Sequence, residues 1–251
     1  MTVWPAGTGR LVLATVDSTN AEAARRAEAG EAGPLWIMAV EQTAARGRRG
    51  RRWSGEPGNL FATLLVRPNL SPRDAALVSF VAALAVADVA EAAAPEAEIR
   101  LKWPNDVLVN GGKVAGILLE SAGIAEQLHW LAVGIGVNLV GAPGDAEIRP
   151  GGTPPISLTA AGAAPMRPET ALSHLAEAMA RWLARFESHG FEPIRSAWLA
   201  RAAHLGQRIG AGLPTEQLWG TFEAVDDRGN LVLNTASGRR LIAAAEIHFP
   251  E

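Results

Sequence analysis

The stretch from Ile99 to Asn138 limits the fold more than any other part of this chain of 251 residues. Ile99 to Trp103 leads through Pro104 into Val107 to Val109, then Asn110-Gly111-Gly112, then Lys113 to Glu120 and, past a second turn, Leu128 to Asn138. Asn-Gly between β-branched runs closes a tight hairpin, because that turn needs positive φ at its central residues. Strands joined so closely run antiparallel, since a parallel partner requires a crossover of a dozen or more residues. The stretch therefore predicts an antiparallel meander rather than a βαβ series. The fold class is α+β, with a mixed or antiparallel sheet and helices gathered on one side.

The remaining segments arrange themselves around that meander. Leu11 to Val16 predicts a strand ending at Asp17-Ser18-Thr19-Asn20, and Thr19 with Glu22 has the capping-box spacing that opens a helix running to Gly30. Trp36 to Glu41 and Leu60 to Val66 predict strands, separated by a Gly/Arg loop from Gln42 to Pro57. A helix after Ser71-Pro72 sets Leu77, Phe80, Val81 and Leu84 on one face; its apolar run, Ala75 to Ala87, is shorter than the roughly 20 residues needed to cross a bilayer. Residues 141 to 155 are dense in Gly and Pro and predict a loop or lid. A long amphipathic helix then buries Leu172, Leu175, Met179, Trp182, Leu183 and Phe186, with Arg181 and Arg185 outside, and a shorter helical piece follows from Ile194 to Ala203. From Gly206 the pattern changes to short strands at Arg208 to Gly210, Gly220 to Val225, Leu231 to Asn234 and Arg240 to Ala244, joined by tight polar turns. The expected division is a larger domain over 1–205 and a small β-barrel over 206–251.

Composition narrows the chemistry. No cysteine is present, which removes thiolate metal sites and cysteine nucleophiles together. A net charge of −3 argues against coating nucleic acid by bulk electrostatics. The histidines lack ligand-like spacing, and no P-loop, G-x-S-x-G or complete G-x-G-x-x-G motif occurs. With no basic segment followed by a hydrophobic run at its start, the chain is expected to be soluble and cytoplasmic, without a membrane partner.

Four features carry candidate chemistry. Arg46-Gly47-Arg48-Arg49-Gly50-Arg51-Arg52 packs like charge that calls for an anion, and guanidinium forks match phosphate oxygens two at a time. A solvated surface loop and a nucleic-acid contact are the competing readings; Trp53 follows the run, but no aromatics are interleaved through it. Lys102-Trp103-Pro104-Asn105-Asp106 is followed across the hairpin by Lys113-Val114-Ala115-Gly116, and these hold the only two lysines of the chain. Either lysine can simply cover apolar surface with its stem, yet Gly116 is costly in a strand unless backbone or ligand comes close. Strict alternation sets Lys113 and Ala115 on one side and Val114 and Gly116 on the other. Asp17-Ser18-Thr19-Asn20 are helix-capping types that also offer donors and acceptors to a polar ligand, and Gly134-Ile135-Gly136-Val137-Asn138 again permits close approach.

Taken together, Asp17 to Asn20, Glu41 to Trp53, Lys102 to Asp106, Lys113 to Glu120 and Gly134 to Asn138 resemble the catalytic core of the biotin protein ligases, in the order of that family. The resemblance implies a class II synthetase-like core followed by an SH3-like C-terminal barrel. It implies an ATP-dependent enzyme that makes biotinyl-5′-AMP and pyrophosphate, then transfers biotin to a lysine of the biotin carboxyl carrier protein of acetyl-CoA carboxylase. Mg²⁺ would accompany ATP, with no stable metal site.

By the same resemblance Lys113, Arg48 and Asp106 are the catalytic candidates. Ser18, Thr19, Asn20 and Gln42 would meet the ureido group of biotin, Gly116 its fused rings, and Arg46, Gly47, Arg48 and Lys113 would complete that site. Arg46, Arg48, Arg49, Trp53, Lys113 and Asn138 would bind ATP and the adenylate, the arginine loop closing over it. Asp106 would either hold Mg²⁺ or take the proton of the incoming amine. Two departures stand out: Ala45 replaces the usual glycine, and residues 141–155 offer no aromatic to stack on adenine. Only 16 residues precede Asp17, too few for the helix-turn-helix of some relatives, so no DNA partner is expected. Edge strands of the meander could pair two copies. A lipoate-protein ligase-like acyl transferase is the alternative within the superfamily, and a non-catalytic nucleic-acid-binding module the alternative outside it.

Overall fold

The computed structural model describes residues 2–53, 55–124, 127–144 and 152–249. Seven strands form one mixed sheet: β1 (Gly9–Val16), β2 (Leu35–Gln42), β3 (Leu60–Val66), β4 (Ile99–Lys102), β5 (Asp106–Val109), β6 (Gly112–Ile124) and β7 (Gln127–Val137), in spatial order β1-β2-β3-β7-β6-β5-β4. The meander forms as expected, with β4 to β7 antiparallel in sequence. The parallel pair β1 and β2 is bridged by α1 (Thr19–Glu28), which makes the sheet mixed. Asn110 and Gly111 both take positive φ, 48° and 79°, as the hairpin requires.

The helices do not all lie on one side. Trp36 and Met38 of β2 face the main core, where α3 (Val78–Ala93), α4 (Pro168–His189) and α5 (Glu192–Leu199) contribute Phe80, Met179 and Trp198. Leu35 and Ile37 face the other way, onto Ala23 and Ala27 of α1 with Leu65, Trp130 and Ala132. Five successive residues of β2, Leu35 to Ala39, are buried. A strand apolar on both faces has to be covered on both. The alanine face of α1 lets that helix pack close to the second face.

A short helix α2 (Pro72–Ala75) leads into α3, and the run Pro72–Ala93 is long and apolar enough to cross a membrane by length and composition. It is the central core helix, with Val78 to Ala87 buried without interruption.

The C-terminal strands β8 (Arg208–Gly212), β9 (Gln217–Val225), β10 (Leu231–Thr235), β11 (Gly238–Ile242) and β12 (Glu246–His248) form an antiparallel sheet in the order β11-β10-β9-β8-β12. The outer strands β11 and β12 are not paired with each other among the described residues, so the sheet is open rather than a closed barrel. It packs directly on the larger sheet's helices. The Phe222 ring lies edge-on to Trp198, itself edge-on to Phe80, and Trp103 donates its indole N–H to the Gly229 carbonyl at 2.9 Å. The Gly/Pro loop expected over 141–155 falls partly on residues 145–151, outside those described.

Candidate active site

The pocket is built where β1, β2, β6 and β7 meet the arginine loop, and its volume is about 560 Å³. Ser18, Thr19, Asn20, Gln42, Arg46, Gly47, Arg48, Arg49, Trp53, Asp106, Lys113, Gly116 and Asn138 all line it, so residues scattered over the sequence share one cavity.

Its uncharged wall begins at the start of α1. Ser18 is the N-cap by backbone conformation, but no side-chain cap bond forms, and Glu22 pairs with Arg25 and Arg26 instead of closing a capping box. Asp17 fixes this turn. Its carboxylate takes both ends of the Arg25 guanidinium at 2.8 and 2.9 Å, and that partner holds the Asp17 pKa at about 2. Thr19 is thereby freed from capping. Its backbone N–H donates to Gln42 Oε1 at 2.8 Å and its hydroxyl to the same oxygen at 3.1 Å. Asn20 Nδ2 donates to the Leu118 carbonyl at 3.2 Å. Behind both stands Thr63 of β3, fully buried, with its hydroxyl 2.8 Å from Thr19 Oγ1 and 2.7 Å from Asn20 Oδ1.

The floor is glycine. A Cβ on Gly134 would fall 2.2 Å from Asn20 Oδ1, and one on Gly136 or Gly116 would fall 2.7 or 2.8 Å from the Trp53 ring. The indole therefore lies against the sheet backbone, over the place the resemblance gives to a ligand ring, and its buried Nε1 has no partner among the described residues. Asn138, at the end of the same glycine strand, donates Nδ2 to the Ile156 carbonyl at 3.2 Å and keeps a buried Oδ1 without a partner among the described residues.

The cationic wall comes from the loop and the hairpin. Loop residues 48–50 form a single 3-10 turn with Arg49 at φ 58°. Gly47 N–H donates to the Arg51 carbonyl at 2.6 Å, and Trp53 N–H to the Ala45 carbonyl at 3.0 Å. Ala45 is buried and outside the left-handed region, so its methyl group is accommodated without backbone strain. Part of the loop's positive charge is balanced from within the protein. Arg46 lies 3.5 Å from Glu120, Arg49 lies 3.7 Å from Glu246, and Arg51 pairs with Glu246 too. Arg48 instead points inward and donates to Asn105 Oδ1 at 3.1 Å; burial pulls its pKa down, with Asp106 opposing.

Across the hairpin Lys113 Nζ sits 2.7 Å from Asp106 Oδ1 and 5.4 Å from the Trp53 ring centroid. The expected alternation fails here. The register slips between Val107 and Leu108, so that Leu108 pairs with Lys113 while Val107 pairs with Ala115. This bulge turns Lys113 onto the face of Gly116, whose Cβ position would lie 3.5 Å from Lys113 Cε. Lys102 is more buried still. It donates to Thr153 Oγ1 at 2.7 Å and lies 4.7 Å from the Phe249 ring, and burial lowers its pKa.

Sequence reasoning left out several of these groups. Thr63 sits in an apolar run where a β-branched residue reads as strand packing. Glu246 belongs to a three-residue strand that no periodicity announces. Asn105 was visible in its motif but not as the partner of Arg48.

The profile described as "Biotin/lipoate A/B protein ligase family" matches residues 12–138, and "Biotin protein ligase C terminal domain" matches residues 204–249. The chain is 51% identical over 239 residues to "Biotin--[acetyl-CoA-carboxylase] ligase" of Paracoccus denitrificans, covering 95% of this chain and 99% of the relative. It is 34% identical over 242 residues to the protein of the same description from Mycobacterium tuberculosis, covering 94% and 87%. Among solved structures, "Biotin protein ligase from Aquifex aeolicus in complex with biotin and ATP" superposes with a TM-score of 0.79 at 23% identity, covering 95% of this chain and 97% of that one, a likeness of fold.

Proposed function

The chain belongs to the biotin/lipoate A/B protein ligase family, and from that membership we propose the reaction its pocket performs. It activates biotin with ATP and passes it to a lysine of the biotin carboxyl carrier protein of acetyl-CoA carboxylase. A carboxylate oxygen of biotin attacks the α-phosphorus, the bond to the β-phosphate oxygen breaks, and pyrophosphate leaves. The carrier amine then attacks the carbonyl of the mixed anhydride, the amide forms, and AMP departs. The observation that carries this reading is the union, in one pocket, of an uncharged wall of Ser18, Thr19, Asn20 and Gln42 with a cationic wall of Arg46, Arg48 and Lys113.

Bringing a carboxylate to a phosphate opposes two anions, and positive groups already in position offset that repulsion. Lys113 contacts the carboxylate and the developing adenylate, Arg46, Arg48 and Arg49 hold phosphate oxygens, and Trp53 and Asn138 bound the adenylate side. Mg²⁺ bound to the ATP phosphates would supply further charge neutralisation, and Asp106, whose Oδ1 pairs with Lys113 Nζ at 2.7 Å, would offer it a carboxylate oxygen, the donor type a hard cation takes. Asp106 alternatively accepts the proton of the carrier lysine. Residues 206–251 act as an SH3-like unit whose Glu246 holds the loop arginines. We assign the enzyme to the cytoplasm, without a DNA partner; its net charge of −3 argues against coating nucleic acid by bulk electrostatics. Two copies associate through edge strands of the meander; among the described residues the far part of β6, from Leu118 to Ile124, has β7 as its one strand partner.

Incubation with labelled biotin, ATP, Mg²⁺ and a carrier domain should give a covalently labelled carrier. Label from lipoate and none from biotin would favour the lipoate ligase instead. Lys113→Ala should lower adenylate formation at least 100-fold; unchanged labelling would remove the role given to that side chain.

A further inference from the structure

Where the arginine loop ends and β3 begins, one buried side chain holds a segment some eighty residues further along the chain. Asn59 is 1% exposed. Its Oδ1 accepts from three consecutive backbone N–H groups, those of Leu139, Val140 and Gly141, at 2.9, 3.1 and 3.3 Å, and its Nδ2 donates to the Gly141 carbonyl at 3.0 Å. A carboxamide brings both an acceptor and donors, and here both kinds are spent on the same three residues. The fit around them is close. Gly58 takes φ +93°, with its Cβ position 2.8 Å from Val140 Cγ2, and a Cβ on Gly141 would collide with the Glu56 carboxylate.

Those three residues continue the chain directly from Asn138. Asn138 lines the pocket, as do Pro143, Gly152 and Thr153 from the described flanks of the Gly/Pro loop, whereas Asn59 does not. The uncharged wall is held from elsewhere: Gln42 accepts from Thr19, Asn20 donates to the Leu118 carbonyl, and Thr63 stands behind both. We propose that Asn59 is a positioning residue for the nucleotide: it sets the backbone just beyond Asn138 and, through it, the Asn138 side chain on the adenylate side of the pocket, without serving biotin. The inference rests on the functional reading above and deepens it. Once the carboxamide is removed, three N–H groups lose their acceptor, and that of Leu139 is buried where bulk water does not replace it. The segment then leaves its course, and Asn138, joined to it by a peptide bond, turns with it.

The test uses the full-length enzyme and steady-state labelling of a carrier domain, each KM measured with the other substrate saturating. Asn59→Ala should raise the KM for ATP by a factor at least five times that for biotin, a split that general loosening of the fold would not produce. Asn59→Asp keeps the oxygen and loses only the donor to Gly141, so its ATP KM should lie closer to the parent value than that of Asn59→Ala. In an Asn138→Ala background, Asn59→Ala should raise the ATP KM by a smaller factor than in the parent, because the two residues act in series. A ratio below five in folded Asn59→Ala, no recovery in Asn59→Asp, or equal factors in the two backgrounds overturns the inference. Should Asn59→Ala fail to fold, Asn59→Ser, whose hydroxyl is too short to span the three amides, is judged by the same ratio. Absence of any labelling by the parent enzyme would count against the functional reading itself, a result distinct from these.

Discussion

Lys102 and Lys113 lie within one motif-bearing stretch yet face different demands. Lys113 has a carboxylate at 2.7 Å, whereas Lys102 has a hydroxyl, an aromatic ring and little solvent. Burial disfavours the ammonium of Lys102, so its pKa falls below the ordinary 10.5. The unfolded chain then binds the proton more tightly than the folded one, and stability contributed at this site rises with pH from the lowered value up to 10.5. Lys102→Met removes that dependence. Urea denaturation at pH 7 and near pH 10 should therefore show the parent gaining stability relative to the variant as pH rises, and a parallel pair of curves would contradict it. Residue identity announced much of this site, since Thr19, Asn20, Gln42, Arg48 and Lys113 carry polar groups that a bare core would not tolerate. Burial of Lys102 was not legible, because a lysine at the end of a strand reads equally well as a surface stem.

At the scale of elements the arginine loop was the loudest signal, and its electrostatics were the least readable. Like charges in sequence suggested a missing anion, but Glu246 arrives from β12, almost two hundred residues later, and no local pattern could couple them. Glu246→Gln removes a partner of two loop arginines. The KM for ATP should rise about two- to five-fold at low salt, the range expected of a partly exposed ion pair, and the gap should narrow as salt screens the parent. An ATP KM that is the same in both proteins across salt would show the tether to be irrelevant to nucleotide binding. The meander was legible from its turns. The bulge beside Leu108 was not, and it alone moved Lys113 onto the face of Gly116.

The molecule as a whole has one continuous main core, in which Trp198 meets Phe80 on one side and Phe222 of the C-terminal sheet on the other. Composition marked the change at Gly206 clearly, but gave no sign that the two parts share side chains. Gly229 sits at that junction with φ +79°, and a Cβ there would lie 2.8 Å from Leu77 Cδ2. Gly229→Ala adds a strained backbone to a steric conflict, so a loss of about 1–3 kcal/mol is expected. Calorimetry should record it as a single transition at lower temperature. Two separated transitions would mean the halves melt independently. The placement of α1 opposite the other helices was hidden for a related reason: a continuously apolar strand reports that both its faces are covered, not by what.

The backbone N–H of Leu101 in β4 donates to the Arg201 carbonyl, and its own carbonyl accepts from Ala203 N–H, both at 2.8 Å. The chain leaving α5 thus occupies hydrogen-bonding positions that a stray strand from another molecule would need in order to extend the sheet there. A crowded, freshly synthesised population of this protein is protected at that end from stacking into fibrils by a few residues of its own irregular backbone.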